Sequence, residues 1–334
     1  MQQSRMSYLN NESPDHHQFG TNYLINRGYH IDYELIVPKG YHNKICRFLS
    51  LIIPWIQLFF KARKFEIVYG AADFTIDFLG VLKKFRLFKP KVVTIMHHPP
   101  FPLRLSLAKY DKVIFLSEFA FNEMSVKFHK LRNRMEFIQW GPDLSFYDQL
   151  IEIPNYLKTN SELIFISNGK THRDHESLVT AAESSKSHTI IVSNRFDIPK
   201  NYVDSSNYLE IFIQEYPNDK EMIRLLNKCS VLIIPTFPSI HRLGPIGLTS
   251  FLDAIALGMP VITASNTILT DIVTTYNLGF VYTAGDNLDL QRKMQLFKDN
   301  PELIKEQGEN AYNFRKKCNS LDFSEKIHQI LLNL

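Results

Sequence analysis

Two cations and a tight turn stand together in Ser167-Asn-Gly-Lys-Thr-His-Arg-Asp174. Gly169 permits the turn, and Lys170 and Arg173 set two positive charges at its mouth. Fixed cations suit a phosphate, although the same residues also make a solvated basic loop with Asp174 capping the next helix. A second stretch, Gly247-Leu-Thr-Ser-Phe-Leu-Asp253, offers matching chemistry. Gly247 lets a backbone approach closely. A helix starting at Leu248 turns the N–H groups of Leu248, Thr249 and Ser250, and its positive end, toward a diphosphate. Thr249 and Asp253 are four residues apart and share a face. Asp253 is placed to accept hydrogen bonds from ribose hydroxyls, as acidic residues do in dinucleotide folds. The bland alternative is an amphipathic helix with a polar face, closed by Gly258.

Histidines add a third kind of chemistry. His97 follows the apolar run Lys91–Met96, which puts it at the C-terminal edge of a strand. It is either a site residue or a structural hydrogen-bonder. His172 and His175 have i, i+3 spacing, but no third ligand is near in sequence, so no metal is expected. The three cysteines are scattered without metal or redox spacing, which reads as a reducing compartment.

These residues need rigid elements to hold them. The chain has 334 residues, enough for two domains. Apolar runs such as Val231-Leu-Ile-Ile234 alternate with helix-period segments such as Leu248–Leu257, which implies parallel sheets covered on both faces. We expect two doubly wound Rossmann-like domains facing across a cleft, 1–150 and 151–334, divided near the polar stretch Asp143–Asn160, with the C-terminal helices crossing back. The first domain opens poorly. Phe19–Arg27 already reads as a helix, Met6–Leu9 is a poor strand, and Glu34–Val37 is the first clear one.

Gly247-Leu-Thr-Ser-Phe-Leu-Asp-Ala-Ile-Ala-Leu-Gly-Met-Pro-Val-Ile262 resembles the donor-site helix of glycosyltransferase family 4-like proteins, the glycosyl transferases group 1, which have the GT-B fold. That family's helix ends in Glu-Ala-Met-Ala-x-Gly-x-Pro-Val-Ile. Asp253 stands at the second Glu of its E-x7-E motif, while Pro245 occupies the first. Gly247-Leu-Thr-Ser250 is closer to the Gly-Gln-Thr/Ser turn of some relatives. The resemblance implies that Arg173, Lys170 and the turn at Gly169 hold a donor diphosphate. It also implies that His97, or else His98, contacts the donor sugar, and that Trp140-Gly-Pro-Asp143 is the Gly-x-Asp turn closing the N-terminal domain.

The implied activity is transfer of a sugar from a nucleotide-sugar to a saccharide or lipid-linked glycan, with retention of configuration and no metal. His97 and Asp253 are the expected catalytic residues. Gly169, Lys170, Arg173, Gly247, Leu248, Thr249, Ser250 and Asp253 are the expected donor-binding ones. Two other readings remain: a sugar-nucleotide 2-epimerase, and a non-catalytic partner subunit, which the missing first Glu favours. The net charge of +4 suits phosphates or an anionic membrane surface and is too diffuse for nucleic acid. Residues 45–64 combine apolar bulk with basic ends, as interfacial helices do. No leader or spanning segment is legible, so the expected location is the cytoplasm, at the inner face of the membrane.

Overall fold

The computed structural model describes residues 2–34, 36, 50–71, 73–97, 109–158, 162–169, 172–193, 207–213, 218–239 and 244–334. The chain forms two compact units. One comprises Met1–Met6, Gln18–Gln139 and Phe323–Leu334; the other comprises Ser7–His17 and Trp140–Asp322.

The first unit carries α1 (Gln2–Leu9, which runs on into the second), α2 (Thr21–Asn26), α3 (Ile52–Ala62), β1 (Ile67–Gly70), α4 (Asp73–Lys84), β2 (Lys91–Met96), β3 (Lys112–Phe115), α5 (Glu118–Lys127) and β4 (Met135–Phe137). Its strands pair in parallel in the order β1-β2-β3-β4. β2 and β3 are apolar runs buried along almost their whole length, as a sheet covered on both faces requires. Ser117 starts α5 by accepting the Ala120 N–H at 3.2 Å.

The second unit carries α6 (Leu144–Leu150), β5 (Phe165–Asn168), α7 (His175–Ser185), β6 (Thr189–Ser193), β7 (Leu209–Ile213), α8 (Asp219–Leu226), β8 (Val231–Ile234), α9 (Leu248–Leu257), β9 (Val261–Ala264), α10 (Thr270–Thr275), β10 (Gly279–Tyr282), α11 (Asn287–Asp299) and α12 (Glu302–Phe314). α13 (Ser320–Leu332) closes the chain. All six strands are parallel, in the order β7-β6-β5-β8-β9-β10. The chain order therefore reverses between β5 and β8. In an open parallel sheet this reversal splays apart the connections that follow the two strands, and ligands bind beyond their carboxyl ends. Beneath that point Phe165, Leu178, Ile191, Val231, Ile233, Ile262, Met294 and Phe297 form one buried core.

Some expectations need correction. Met6–Leu9 lies in α1, not in a strand; Gln-Gln-Ser-Arg-Met-Ser-Tyr-Leu has no β-branched residue to favour extension. The polar stretch Asp143–Asn160 contains α6, started by the Asp143 side chain accepting the Phe146 N–H and anchored by buried Phe146 and Tyr147. The helix expected over 45–64 spans Ile52–Ala62, and residues 45–49 lie outside the described residues. So do Leu35 and Val37 of the strand expected at Glu34–Val37, whose other two residues are described but not as a strand.

Because β8 sits at the reversal and is buried throughout, truncation there should be costly. Ile233→Ala is expected to lower the unfolding free energy by about 2–5 kcal/mol, measured by denaturant titration. A loss under about 1 kcal/mol would show that β8 does not carry the core.

Candidate functional site

Asn168 ends β5, and the chain turns at Gly169, whose φ of +142° is open to glycine. After the turn Arg173 pairs with Thr236, just beyond β8. Its side chain folds back over Gly169, so closely that a Cβ there would collide with the guanidinium. Arg173 Nε donates to the Asn168 carbonyl at 3.2 Å, and Nη2 donates to Ser250 Oγ at 3.2 Å. Ser250 Oγ in turn donates to the Asn168 carbonyl at 3.1 Å. Arg173 is thereby buried and fixed against the first turn of α9, at the carboxyl ends of β5 and β8.

α9 begins without a side-chain cap. Gly247 occupies the N-cap position with φ +86°, and a Cβ there would lie 2.5 Å from Ile234 Cγ2. Only glycine meets both demands. An uncapped first turn keeps its positive end for a ligand. The Leu248 N–H bonds the Pro245 carbonyl at 3.1 Å, and the Leu248 side chain is buried in the core. Thr249 is exposed, and Ser250 faces Arg173. Gly169, Arg173, Gly247 and Ser250 are thus brought together. Lys170 and His98 lie outside the described residues.

Asp253, one turn further along α9, is half-buried. It accepts a hydrogen bond from the Tyr147 hydroxyl and one from Asn168 Nδ2 at 3.4 Å. Burial pushes its carboxyl up to about 7, and the charge of Asp219 adds to the rise, while the two donors pull the other way. Burial also raises the Tyr147 hydroxyl, next to the Asp253 charge. Tyr147 is backed by His16, whose ring stacks on it at 6.3 Å. His16 accepts the Asp143 N–H through Nδ1 at 3.3 Å, and its backbone carbonyl accepts the Trp140 indole N–H at 3.1 Å. Burial, and then the neighbouring His17, keep His16 neutral by lowering its pKa well below the usual range.

Tyr147, His16 and Asn168 were not foreseen as site residues. Asn168 and Tyr147 each had a local signal: Asn168 ends an apolar strand, and Phe146-Tyr147 follows a helix-capping Asp. His16 lies 127 residues before its Asp143 partner, and nothing in its surroundings marks it.

The remaining histidines separate. His175 is buried, with Nε2 2.9 Å from Ser193 Oγ, and burial together with Arg173 lowers its pKa to about 3. His172 is exposed at φ +55°. Among the described residues no group of three His, Cys, Asp or Glu gathers. In the first unit, His97 follows β2; its Nε2 lies 2.7 Å from the Ala71 carbonyl and its ring meets Phe19 edge-on at 5.3 Å.

The raised pKa of Asp253 has a signed consequence. A folded-state value near 7, above the unfolded 3.8, means that stability is lost as pH rises from about 4 through 7. Asp253→Asn should raise the melting temperature by several degrees at pH 8, and the gain should vanish near pH 4. Equal shifts at both pH values would show that no buried charge is being relieved.

Residues 148–314 match the family described as glycosyl transferases group 1. No curated protein matches the sequence. Among solved structures, HepE of Anabaena in complex with UDP and glucose aligns with a TM-score of 0.68 at 15% identity, covering 93% of this chain and 89% of that one. Sucrose-phosphate synthase of Thermosynechococcus elongatus aligns at 0.65 and 15%, covering 91% and 84%. WaaG, a glycosyltransferase involved in lipopolysaccharide biosynthesis, aligns at 0.63 and 15%, covering 94% of each chain. These likenesses carry the fold, which is GT-B with Rossmann-like domains, and the sequence match spans half the chain: it belongs to the glycosyl transferases group 1.

Proposed function

We propose that the protein transfers a sugar from a nucleoside-diphosphate sugar to a hydroxyl of a saccharide or lipid-linked glycan, with retention of configuration. The convergence of Arg173, the Gly169 turn and the uncapped start of α9 at one strand reversal carries this reading. A departing nucleoside diphosphate gains negative charge. A cation already fixed in place and an oriented helix end stabilise that charge without reorganising. Lys170 adds a second cation, Asp253 takes the ribose hydroxyls, and the first-turn amides of α9 at Thr249 and Ser250 take phosphate oxygens. No metal is called for. On the acceptor side His97 addresses the transferred sugar. HepE is described with UDP and with UDP-glucose, which makes uridine the first base to try. The expected place of work is the cytoplasmic face of a membrane.

Asp253 ties this chemistry to pH. A ribose hydroxyl donates to a carboxylate better than to a carboxylic acid. Nucleotide affinity should therefore fall as pH drops through about 7, and Asp253→Asn should flatten that dependence.

Melting curves with UDP-, GDP-, dTDP- and CMP-linked sugars test the proposal, because a ligand of the folded state raises the melting point. A diphosphate-linked sugar should stabilise the protein more than the CMP-linked one, which has a single phosphate. Arg173→Ala should weaken the effective ligand about tenfold or more. Full retention of the shift in Arg173→Ala would overturn the diphosphate assignment. Binding without release of nucleoside diphosphate to any saccharide acceptor would favour the non-catalytic alternative.

A further inference from the structure

Five large apolar side chains of the first unit, each more than half exposed, stand in solvent on two adjoining elements. On α3 they are Ile53, Ile56 and Phe60, exposed by 68%, 52% and 60%. Their i, i+3, i+7 spacing places them along one face, while Leu58 and Ala62 bury the other. In the turn after α4 they are Phe85 and Leu87, exposed by 65% and 62%. Two ring contacts join these elements: Trp55 stacks on Phe78 at 5.1 Å, and Phe59 meets Phe88 at 6.0 Å. The second contact sets the end of α3 beside the turn that carries Leu87.

The rim of this patch is basic. Arg63, Lys64, Arg86 and Lys89 are exposed beside it. Neither residues 50–64 nor residues 78–91 contain an acidic side chain. The acids that reach α3, Asp32 and Glu34, are bonded to Lys61 at 3.1 and 2.8 Å.

We propose that this patch docks the protein onto an anionic lipid bilayer, with Ile53, Ile56, Phe60, Phe85 and Leu87 entering the headgroup boundary and the four cations facing the lipid phosphates. Charge complementarity selects the occupant. An apolar strip rimmed mainly by positive charge, with Asp32 and Glu34 already bonded to Lys61 and Glu66 the other acid close by, suits a surface that is negative and apolar beneath. A second copy of the same patch would bring like charges face to face. α3 has 11 residues, and no described helix is long and apolar enough to cross a membrane, so the contact lies in the interface plane. The inference is independent of the donor assignment.

Sedimentation of the full chain with vesicles tests it. Vesicles of phosphatidylcholine with phosphatidylglycerol should pellet the protein; vesicles of phosphatidylcholine alone should not, and high salt should release it. Ile56→Ser with Phe60→Ser, and separately Arg63→Glu with Lys64→Glu, should each lower partitioning about tenfold or more. Both pairs should keep the melting temperature of the parent and any nucleotide-induced shift, which separates a lost docking surface from a lost fold or donor site. The proposal is overturned if the protein stays in the supernatant with anionic vesicles. It is also overturned if either pair pellets like the parent, or if the patch substitutions turn a dimer into a monomer.

Discussion

The candidate site depends on one buried cation. Placing a guanidinium in a protein interior costs several kcal/mol unless its donors are satisfied. Here the Asn168 carbonyl and Ser250 Oγ take two of them, and both acceptors are set by the sheet. Asn168 closes β5, and Ser250 sits in the first turn of the helix that follows β8. The six-stranded order places these strands side by side although more than 60 residues separate them in the chain. Gly169 is the concession that makes it possible, since any larger residue would displace the guanidinium. Arg173 is thus held in position before any ligand arrives, as electrostatic stabilisation requires.

A second network meets the same helix from below. Asp253 is gripped by Tyr147 and Asn168, and Tyr147 leans on His16. Asn168 belongs to both networks: its carbonyl receives Arg173, and its side-chain amide reaches Asp253. A change at Asn168 would disturb cation and carboxylate together. The residues 15–17 that buttress Tyr147 come from the start of the chain and group with the C-terminal unit.

The strands and helices of the C-terminal unit were largely legible because their signals are local. Val231–Ile234 is an uninterrupted apolar run, and Leu248–Leu257 is bracketed by two glycines that both adopt positive φ. The turn at Gly169 and the loop bearing Arg173 were legible as a tight turn with cations at its mouth, a pattern that serves a phosphate or a solvated basic loop equally well; that Arg173 folds back onto Asn168 and Ser250 was not legible. What the sequence concealed was partnership. Tyr147 lies 106 residues from Asp253, and Arg173 lies 77 from Ser250; only the sheet order brings such pairs together. α6 was hidden by its polar flanks, and α1 by a composition that favours no element strongly.

The central claim is that a nucleoside diphosphate lies between Arg173 and the start of α9. A crystal structure of the protein with UDP tests it most directly. The account predicts diphosphate oxygens within hydrogen-bond reach of the Arg173 guanidinium and of the Thr249 and Ser250 amides, with the ribose on Asp253. UDP bound elsewhere, or that turn left empty at saturating UDP, would contradict it.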